Sequence, residues 1–335
     1  MRLFSLAVLL MSLVSTTGSL VAQPPRPGSV LIFPVHRSGG GLFTLLSVTN
    51  TADLPTTPFS SGGTTLARFE CVSTIPNSAN PFRPLGCTVQ DRLELLTPGD
   101  IFTVLTSCHL ATVAGGQSGY LVVSAQNPAG GGAWSHNFLL GSAFVVSASG
   151  VAWSVNAVSF PSPQAAGAPT DVSPANGRLD FNGVEYAEIP DLLYIDSFVG
   201  LAGAQLALIN LTGGPLDVNT VIFSVWNDNE FALSTTLSFN CWFDRPLSEI
   251  STLFTEGFLQ GSPNDPEEVD VDCDGVQDLE SGWAVIDSLL VATPGGTFVA
   301  GDGALLGAIT AGQTVFLDGG RLLWGSAAGQ TNGSF

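Results

Sequence analysis

The chain has 335 residues, of which 45% are hydrophobic and only 11% are charged. This composition excludes a disordered chain and a solvated helical protein, because both need many more charged residues. The basic residues are nine arginines, and the formal net charge is −19, so the phosphates of nucleic acids are repelled and nucleic acid is not expected as a partner.

The N-terminal segment 1–22 has the form of a cleavable secretion signal. Arg2 gives it a positive start, and residues 3–14 form an apolar core that is too short to span a bilayer. Small residues follow, so cleavage fits after Ala22 or after Gly18. We therefore expect a secreted protein that works outside the cell or in the periplasm, with no transmembrane segment in the mature chain.

Short β-favouring runs separated by turn residues fill the rest of the chain. The sequence holds 39 Gly and 21 Pro residues, and turn signals recur between the runs, for example at 97–100 (TPGD) and 127–130 (NPAG). This pattern is typical of an antiparallel β-sandwich. We therefore predict an all-β fold. Residues 247–259 have some helical character, but their match to residues 93–105 favours strand or loop.

A weak internal repeat divides the mature chain into two halves. Five matches recur in the same order: 30–33 with 192–195, 46–50 with 207–210, Cys87 and the following Asp91 with Cys241 and the following Asp244, 119–123 with 282–286, and 139–141 with 305–307. We therefore predict two tandem Ig-like antiparallel β-sandwich domains related by internal duplication, at 23–159 and 191–335. Residues 160–190 are rich in Pro, Gly and Asp and are predicted as a linker.

Four segments resemble those of a group of uncharacterised secreted bacterial proteins. They are SVTNT at 47–51, LTPGD at 96–100, NGVEY at 182–186 and QTNG at 330–333. The resemblance extends over most of the mature chain, and it implies no particular activity.

The acidic run at 270–278, of the form D-x-D-x-D-G-x-x-D, gives the most specific chemical signal. Calcium prefers oxygen ligands, and acidic residues at alternate positions direct their carboxylates to one centre. Gly275 permits the sharp turn that brings the next carbonyl group inward. The predicted calcium ligands are Asp270, Asp272, Asp274, the carbonyl of Val276, Asp278 and Glu280.

The loop 270–281 resembles the calcium loops of thrombospondin type 3 repeats and dockerins, and it follows the start of an EF-hand loop. It departs from the EF-hand pattern at the twelfth position, where Ser281 stands and Glu280 comes one residue early. Glu267 or Glu268 is another source for the last carboxylate. The resemblance implies a structural ion that orders a long loop, and the alternative is a solvated acidic hairpin.

Other acidic residues are weaker candidates. A second acidic stretch with irregular spacing is either another calcium site or a turn-rich linker: Asp171, Asn176, Asp180, Asn182 and Glu185. A glycoside hydrolase needs two carboxylates that meet in space, and the pairs to consider are Asp91 with Glu94 and Asp244 with Glu249. Charges at turns and edge strands are the simpler interpretation of these pairs.

The cysteines all belong to the exported part, where disulfides persist: Cys71, Cys87, Cys108, Cys241 and Cys273. The repeat favours a Cys241–Cys273 bridge with an equivalent Cys87–Cys108 bridge, whereas proximity in sequence favours Cys71–Cys87. The neighbours Cys108 and His109 form a nucleophile and base only if their side chains meet, and adjacent side chains of a strand point to opposite faces.

The sequence as a whole favours a non-enzymatic role. We expect a secreted structural or adhesive binding protein of the cell surface or extracellular space, with calcium as a structural ion and a surface protein or glycan as partner. The alternatives are a secreted polysaccharide hydrolase and a carbohydrate-binding module. An exposed strip formed by some of the six tryptophans favours sugar binding, whereas two carboxylates in a pocket favour the hydrolase.

Calcium is expected to raise the thermal unfolding midpoint of the mature protein, because an ion that binds only the folded chain stabilises it, by about 2.7 kcal/mol at a hundredfold excess over Kd. Calcium titration and thermal unfolding with and without chelator measure this effect. The Asp272→Asn/Asp274→Asn variant should lose the response, and Asp53→Asn, outside the loop, should keep it. An unmoved midpoint and no bound ion would contradict the site.

Overall fold

In a computed structural model the chain folds almost entirely into antiparallel β-sheets, which confirms the predicted all-β, sandwich-like class. The structure describes residues 26–55, 62–109, 118–148, 152–200, 204–227, 231–259, 280–311, 318–322, 330–331 and 333–335. The predicted signal peptide lies outside the described residues, as does the calcium loop up to residue 279. None of the helices in the described ranges has the length and apolar character needed to cross a membrane.

The first half forms two sheets. The strands in its described part are β1 (Val30–Arg37), β2 (Leu42–Asn50), β3 (Thr65–Ile75), β4 (Gly86–Leu96), β5 (Ile101–Leu105), β6 (Ser118–Gln126), β7 (Leu139–Ser147), β8 (Ala152–Asn156) and β9 (Val158–Phe160). Sheet I has the order β5-β2-β7-β8, and sheet II has the order β4-β3-β6-β1-β9. A single helical turn, α1 (Thr106–His109), follows β5.

The second half forms two more sheets. After the short strands β10 (Asp180–Phe181) and β11 (Ile189–Pro190), its described strands are β12 (Leu192–Val199), β13 (Gln205–Asn210), β14 (Val218–Asn227), β15 (Ala232–Asn240), β16 (Trp242–Pro246), β17 (Ser281–Ala292), β18 (Phe298–Ala300), β19 (Leu305–Ala311), β20 (Asp318–Arg321), β21 (Gln330–Thr331) and β22 (Gly333–Ser334). Sheet III has the order β16-β13-β19-β20, and sheet IV has the order β12-β17-β14-β15 with β18 beside β17.

The segment 247–259 is helical, which the repeat had not favoured. It contains α2 (Leu247–Ile250), a 3₁₀ turn (Thr252–Phe254) and α3 (Glu256–Leu259). Strand or loop was therefore the wrong expectation for this segment. It follows β16, as α1 follows β5, so a helical turn closes the same corner of each half.

The two halves share one strand order. Strands β1-β6-β3-β4 of sheet II correspond to β12-β17-β14-β15 of sheet IV, and sheet I corresponds strand by strand to sheet III. The registers agree as well, because Asn50 pairs with Leu139 as Asn210 pairs with Leu305. Four of the five sequence matches thus lie at equivalent ladder positions. This equivalence is what a duplication predicts, and the duplication itself stays a prediction.

The match between the cysteines is wrong. Cys87 and Asp91 lie in β4 at the edge of sheet II, whereas Asp244 lies in β16, which corresponds to β5 of sheet I. Cys87 and Cys241 are joined to each other by a disulfide across 154 positions. The expected Cys241–Cys273 bridge and its alternatives for Cys87 are therefore wrong, and Cys71 is a buried free thiol.

Burial places sheets II and III inside the molecule and sheets I and IV outside, and the edge strands β8 of sheet I and β20 of sheet III also contact each other. All eight residues of β1 in sheet II are buried, and so are the last five of β13 in sheet III, so both strands are covered on two faces. In β2 of sheet I and β14 of sheet IV, buried residues alternate with more exposed ones, so these strands are covered on one face. Sheets I and IV are therefore the outer layers.

The contact between sheets II and III joins the halves. The Arg37 guanidinium pairs with the Asp244 carboxylate at 2.7 Å, and the Trp242 indole N–H donates to the Pro34 carbonyl at 3.0 Å. Residues of β13 and β19 belong to the same apolar core as β1 and β6.

The segment 160–190, which the sequence predicts as a linker, packs into this core. Its side chains Phe181 and Tyr186 are buried, and the Phe160 and Phe181 rings lie 4.7 Å apart. Strands β10 and β11 pair with β22 and β21, so the C-terminal residues fasten the segment in place.

Replacing Cys87 and Cys241 by serine is expected to lower the free energy of unfolding by about 2–5 kcal/mol, because the bridge restricts the unfolded chain over a long loop. Urea unfolding followed by circular dichroism measures the loss. Reductant should destabilise the wild type by a similar amount and leave the double variant unchanged. Equal stability of variant and wild type would show that the bridge does not stabilise the fold.

Candidate functional site

The outward face of sheet IV carries the large exposed aromatic pair of the second half. Along β14, Val221, Phe223 and Val225 are fully buried against sheet III, so the residues between them point outward. We call this surface the tryptophan face, and its side chains are Tyr194, Ile222, Ser224, Trp226, Ser234, Thr236, Trp283, Val285 and Asp287.

Two indoles form the centre of the tryptophan face. Trp226 and Trp283 are directly paired in the β14–β17 ladder, and their rings stack with centroids 4.1 Å apart and planes at 7°. Trp283 is 40% exposed. Tyr194 extends the face on the neighbouring strand, since it pairs with Val285. Trp226 is half-buried, so the accessible area of the pair comes mainly from Trp283.

The other described tryptophans lie in the core, as expected for most tryptophans of a sandwich. Trp134, Trp153 and Trp242 are between 5% and 7% exposed. Trp324 lies outside the described residues. The sequence alone does not separate these two groups of tryptophans, because it does not show which residues of each strand point outward.

The calcium prediction stays a prediction. Asp270, Asp272, Asp274, Val276 and Asp278 lie outside the described residues. Glu280 is described and buried, and its backbone carbonyl accepts the Gly200 N–H at 2.8 Å. Among the described side chains, no three His, Cys, Asp or Glu residues are grouped so that they could hold a metal ion.

The second acidic stretch is built around backbone N–H groups. The buried Glu185 carboxylate accepts from Val172 N–H and Ser173 N–H, both at 2.7 Å. Asp171 accepts from Asn176 N–H at 2.8 Å and Gly177 N–H at 3.0 Å. These contacts fix the turns of the segment, which supports the interpretation as a turn-rich element over that as a second ion site.

The candidate carboxylate pairs are not brought together. Asp91 and Glu94 point to opposite faces of β4, where Asp91 pairs with Arg68 at 3.0 Å and Glu94 with Arg92 at 2.7 Å. Asp244 is held by Arg37, and Glu249 is exposed on α2. These residues therefore do not form the two-carboxylate site that a glycosidase requires.

Cys108 and His109 lie in α1 and not in a strand. The His109 ring packs between Phe69 and Phe102, with centroids 5.0 and 5.1 Å away. Its burial, with help from the charge of Arg92, lowers the pKa of this imidazole. His109 is therefore a core side chain.

A different cysteine–histidine pair, which the sequence analysis missed, lies inside sheet II. The Cys71 Sγ is 2.9 Å from the His36 Nε2, and both residues are buried. Burial raises the pKa of Cys71 to about 12 and lowers the pKa of His36 to about 4, so both are neutral at neutral pH. A protonated, buried thiol is a poor nucleophile. No sequence motif links the two residues, because only the register of β1, β6 and β3 brings them together.

A small charged cleft lies between sheet II and the segment 171–179. Its volume is about 240 Å³, and Arg68, Glu70, Asp171 and Arg178 are among its lining residues. Arg68 is paired with Glu70 at 3.1 Å as well as with Asp91. Because Arg68 is engaged by two carboxylates and the lining charges are of both signs, the cleft offers no strong net charge to a ligand.

Comparison with known proteins gives no family. No family model matches the chain, and no curated protein matches it. Among solved structures, the naturally occurring empty particle of cowpea mosaic virus (top component) aligns over 98% of this chain and 97% of that chain at 9% identity. The TM-score of that alignment is 0.17, which carries no argument about fold or function.

The protein is expected to lose stability as the pH falls from about 6.5 to about 4. Burial lowers the pKa of His36 and of His136 to about 4 from an ordinary 6.5, so in this range the unfolded chain takes up protons that the folded chain does not. Each histidine contributes a loss of up to about 3 kcal/mol, complete below the folded pKa.

Urea unfolding of the wild type and of His36→Gln and His136→Gln at about pH 7.5 and about pH 4.5 measures this dependence. Each variant should lose less stability between the two pH values than the wild type. Equal losses in all three proteins would show that these imidazoles are not held neutral by the fold.

Proposed function

We propose that this protein is a secreted, non-enzymatic binding protein of structural or adhesive type, and that it binds its partner through the tryptophan face. The stacked pair of Trp226 and Trp283 carries the proposal, because two large rings on the outward face of the sheet, of which Trp283 is 40% exposed, offer a rigid apolar area. Tryptophan is enriched among the residues that supply most of the energy of protein interfaces.

The described ionisable groups support binding over catalysis. The Cys71–His36 pair is buried and neutral, and the candidate carboxylates are held in ion pairs with arginine or lie apart. Each of these groups has a structural role in the described part of the chain. None of them supplies a charged, accessible nucleophile or base at a pocket.

The disulfide between the halves supports work in an oxidising compartment. Disulfides persist outside the cytoplasm, and the Cys87–Cys241 bridge joins elements of both halves. The predicted signal at 1–22 is consistent with that location. The predicted calcium ion would act here as a stabiliser of the loop 270–281, which precedes and enters the Trp283 strand.

A second candidate function, glycan binding, rests on the same face. Indole rings stack on sugars, and the hydroxyl side chains of Ser224 and Ser234 form the next cross-strand pair along the same face. The hydrolase alternative has less support, because the carboxylates that the sequence offered for it are separated.

Retention on the extracellular matrix fraction of the producing cells tests the proposed function. The Trp226→Ser/Trp283→Ser variant is expected to lose most of the retention seen with the wild type in a sedimentation assay, because it removes the apolar area and leaves the buried side of β14 and β17 intact. Leu93→Ser is a matched control, since Leu93 is 53% exposed but lies on β4, away from the tryptophan face.

Treatment of the matrix separates the two partner classes. Loss of retention after protease digestion of the matrix indicates a protein partner, whereas retention that survives protease and is inhibited by released polysaccharide favours the glycan candidate. Retention that is equal for the wild type and the double tryptophan variant would contradict the proposed function.

A further inference from the structure

Sheet I presents an outward face without charge. No Asp, Glu or Arg occurs in β5, β2, β7 or β8, although the net charge of the chain is −19. Large apolar side chains on this face are exposed, with Phe43 at 40%, Leu45 at 36%, Phe144 at 44% and Ile101 at 67%. Leu45 pairs with Phe144 and lies next to Phe43 on the same face of β2, whereas Ile101 pairs with Thr49 further along β2, so exposed apolar side chains form an apolar patch spread over β2, β5 and β7. Such patches mark interaction sites.

The equivalent face of the second half is covered within the chain. Sheet III corresponds to sheet I, and its outward residues Ala207, Ile209 and Trp242 are buried against sheet II. Trp242 pairs with Ile209 as Ile101 pairs with Thr49, so Trp242 and Ile101 are equivalent positions. Trp242 is 6% exposed, whereas Ile101 is 67% exposed.

The tryptophan face shows the converse. Sheet IV corresponds to sheet II. The outward face of sheet II is covered by sheet III, by the segment 160–190 and by the C-terminal residues. Trp283 pairs with Trp226 as Tyr120 pairs with Val72. Tyr120 is 4% exposed beneath Phe335, and Trp283 is 40% exposed. Each outer face of the molecule therefore has a counterpart that is buried in the contact between sheets II and III.

We infer that copies of this chain stack head to tail, with sheet I of one copy packed on the tryptophan face of the next. This inference rests on the proposed function and names its partner as a second copy. The contact repeats between molecules the pairing that sheets III and II make within one molecule, and it depends on the shared strand order and register. Since the two faces differ, each added copy leaves one of each kind free, and the assembly is open-ended.

Charge and covalent linkage set the strength of this contact. The contact within the chain has a disulfide and continuous backbone to hold the sheets together, whereas the contact between copies has neither, so it depends on concentration. Two copies with a net charge of −19 each repel one another, and salt screens this repulsion. Association is therefore expected to increase with ionic strength.

Sedimentation velocity of the secreted protein over a range of concentrations and salt tests the inference. The wild type should form a series of species that grows with both. Ile101→Glu/Phe144→Glu changes only sheet I, and Trp283→Glu changes only the tryptophan face, so each variant should weaken self-association by more than about a hundredfold. Leu93→Glu, an exposed position on neither face, should behave as the wild type, and circular dichroism checks the fold of all four proteins.

Mixing the two face variants identifies the geometry. One variant keeps a working sheet I and the other a working tryptophan face, so the mixture should form a one-to-one dimer that does not extend. A wild type that stays monomeric at every concentration and salt, a mixture that stays monomeric, or a Trp283→Glu variant that associates as the wild type does would each overturn the inference. If the inference fails but retention on the matrix still requires Trp226 and Trp283, the proposed function stands. If the double tryptophan variant is retained as well as the wild type, the proposed function and the inference are both overturned.

Discussion

The packing of sheet II against sheet III is the contact on which the rest of the structure depends. A sandwich normally buries one face of each sheet, but here β1 and β13 bury both. Two sandwiches thereby become one stack of four layers with an apolar core that includes residues of both halves. The tryptophan face and the face of sheet I are outward surfaces only because the middle of the stack is fixed in this way.

Directional contacts fix the angle and register of this packing. A β-bulge in β1 between Phe33 and His36 interrupts the ladder, and the Pro34 carbonyl within it accepts the Trp242 N–H. The Arg37–Asp244 pair makes two hydrogen bonds, at 3.1 and 2.7 Å, in surroundings that are about nine-tenths shielded from solvent. Because desolvation offsets much of the attraction in such a pair, its main effect is to select one arrangement of the two sheets.

The sequence predicts the class and most of the register. The match of Asn50 with Asn210 is reliable because the two side chains have the same structural role. Each is buried, and its amide donates to a backbone carbonyl, that of Leu96 for Asn50 and that of Asp217 for Asn210. The match of Cys87 with Cys241 is wrong because these two cysteines form a disulfide with each other across the halves, and so do not occupy equivalent positions of the repeat. The helical turns at 247–259 were missed because the same false alignment placed them beside β4.

Part of the four-layer arrangement is visible in the sequence. Residues 30–33 and 206–209 are continuous apolar runs, which indicate strands covered on both faces. Strand β14 is covered on one face, but its sequence does not show this, because Ile222 and Trp226 on the outward face are apolar as well. The tryptophan face therefore has no sequence signal, because only the burial of Val221, Phe223 and Val225 assigns Trp226 to the outward side. The Cys71–His36 contact has no such signal, since it depends on three strands that are far apart in sequence.

The stacking of Trp226 on Trp283 has a structural explanation, but their exposure does not. A cross-strand aromatic pair stabilises a ladder by about 0.5–1.5 kcal/mol beyond its buried area, which accounts for two indoles at directly opposite positions. The same benefit arises if the pair is buried, as the equivalent Tyr120 and Val72 are. The chain is strongly acidic, yet two indoles lie on the outward face of sheet IV. The strands of sheet I, on the other outer layer, carry no charged residue. Selection for solubility alone favours the reverse distribution, which is the reason for proposing a partner contact at each of the two outward faces.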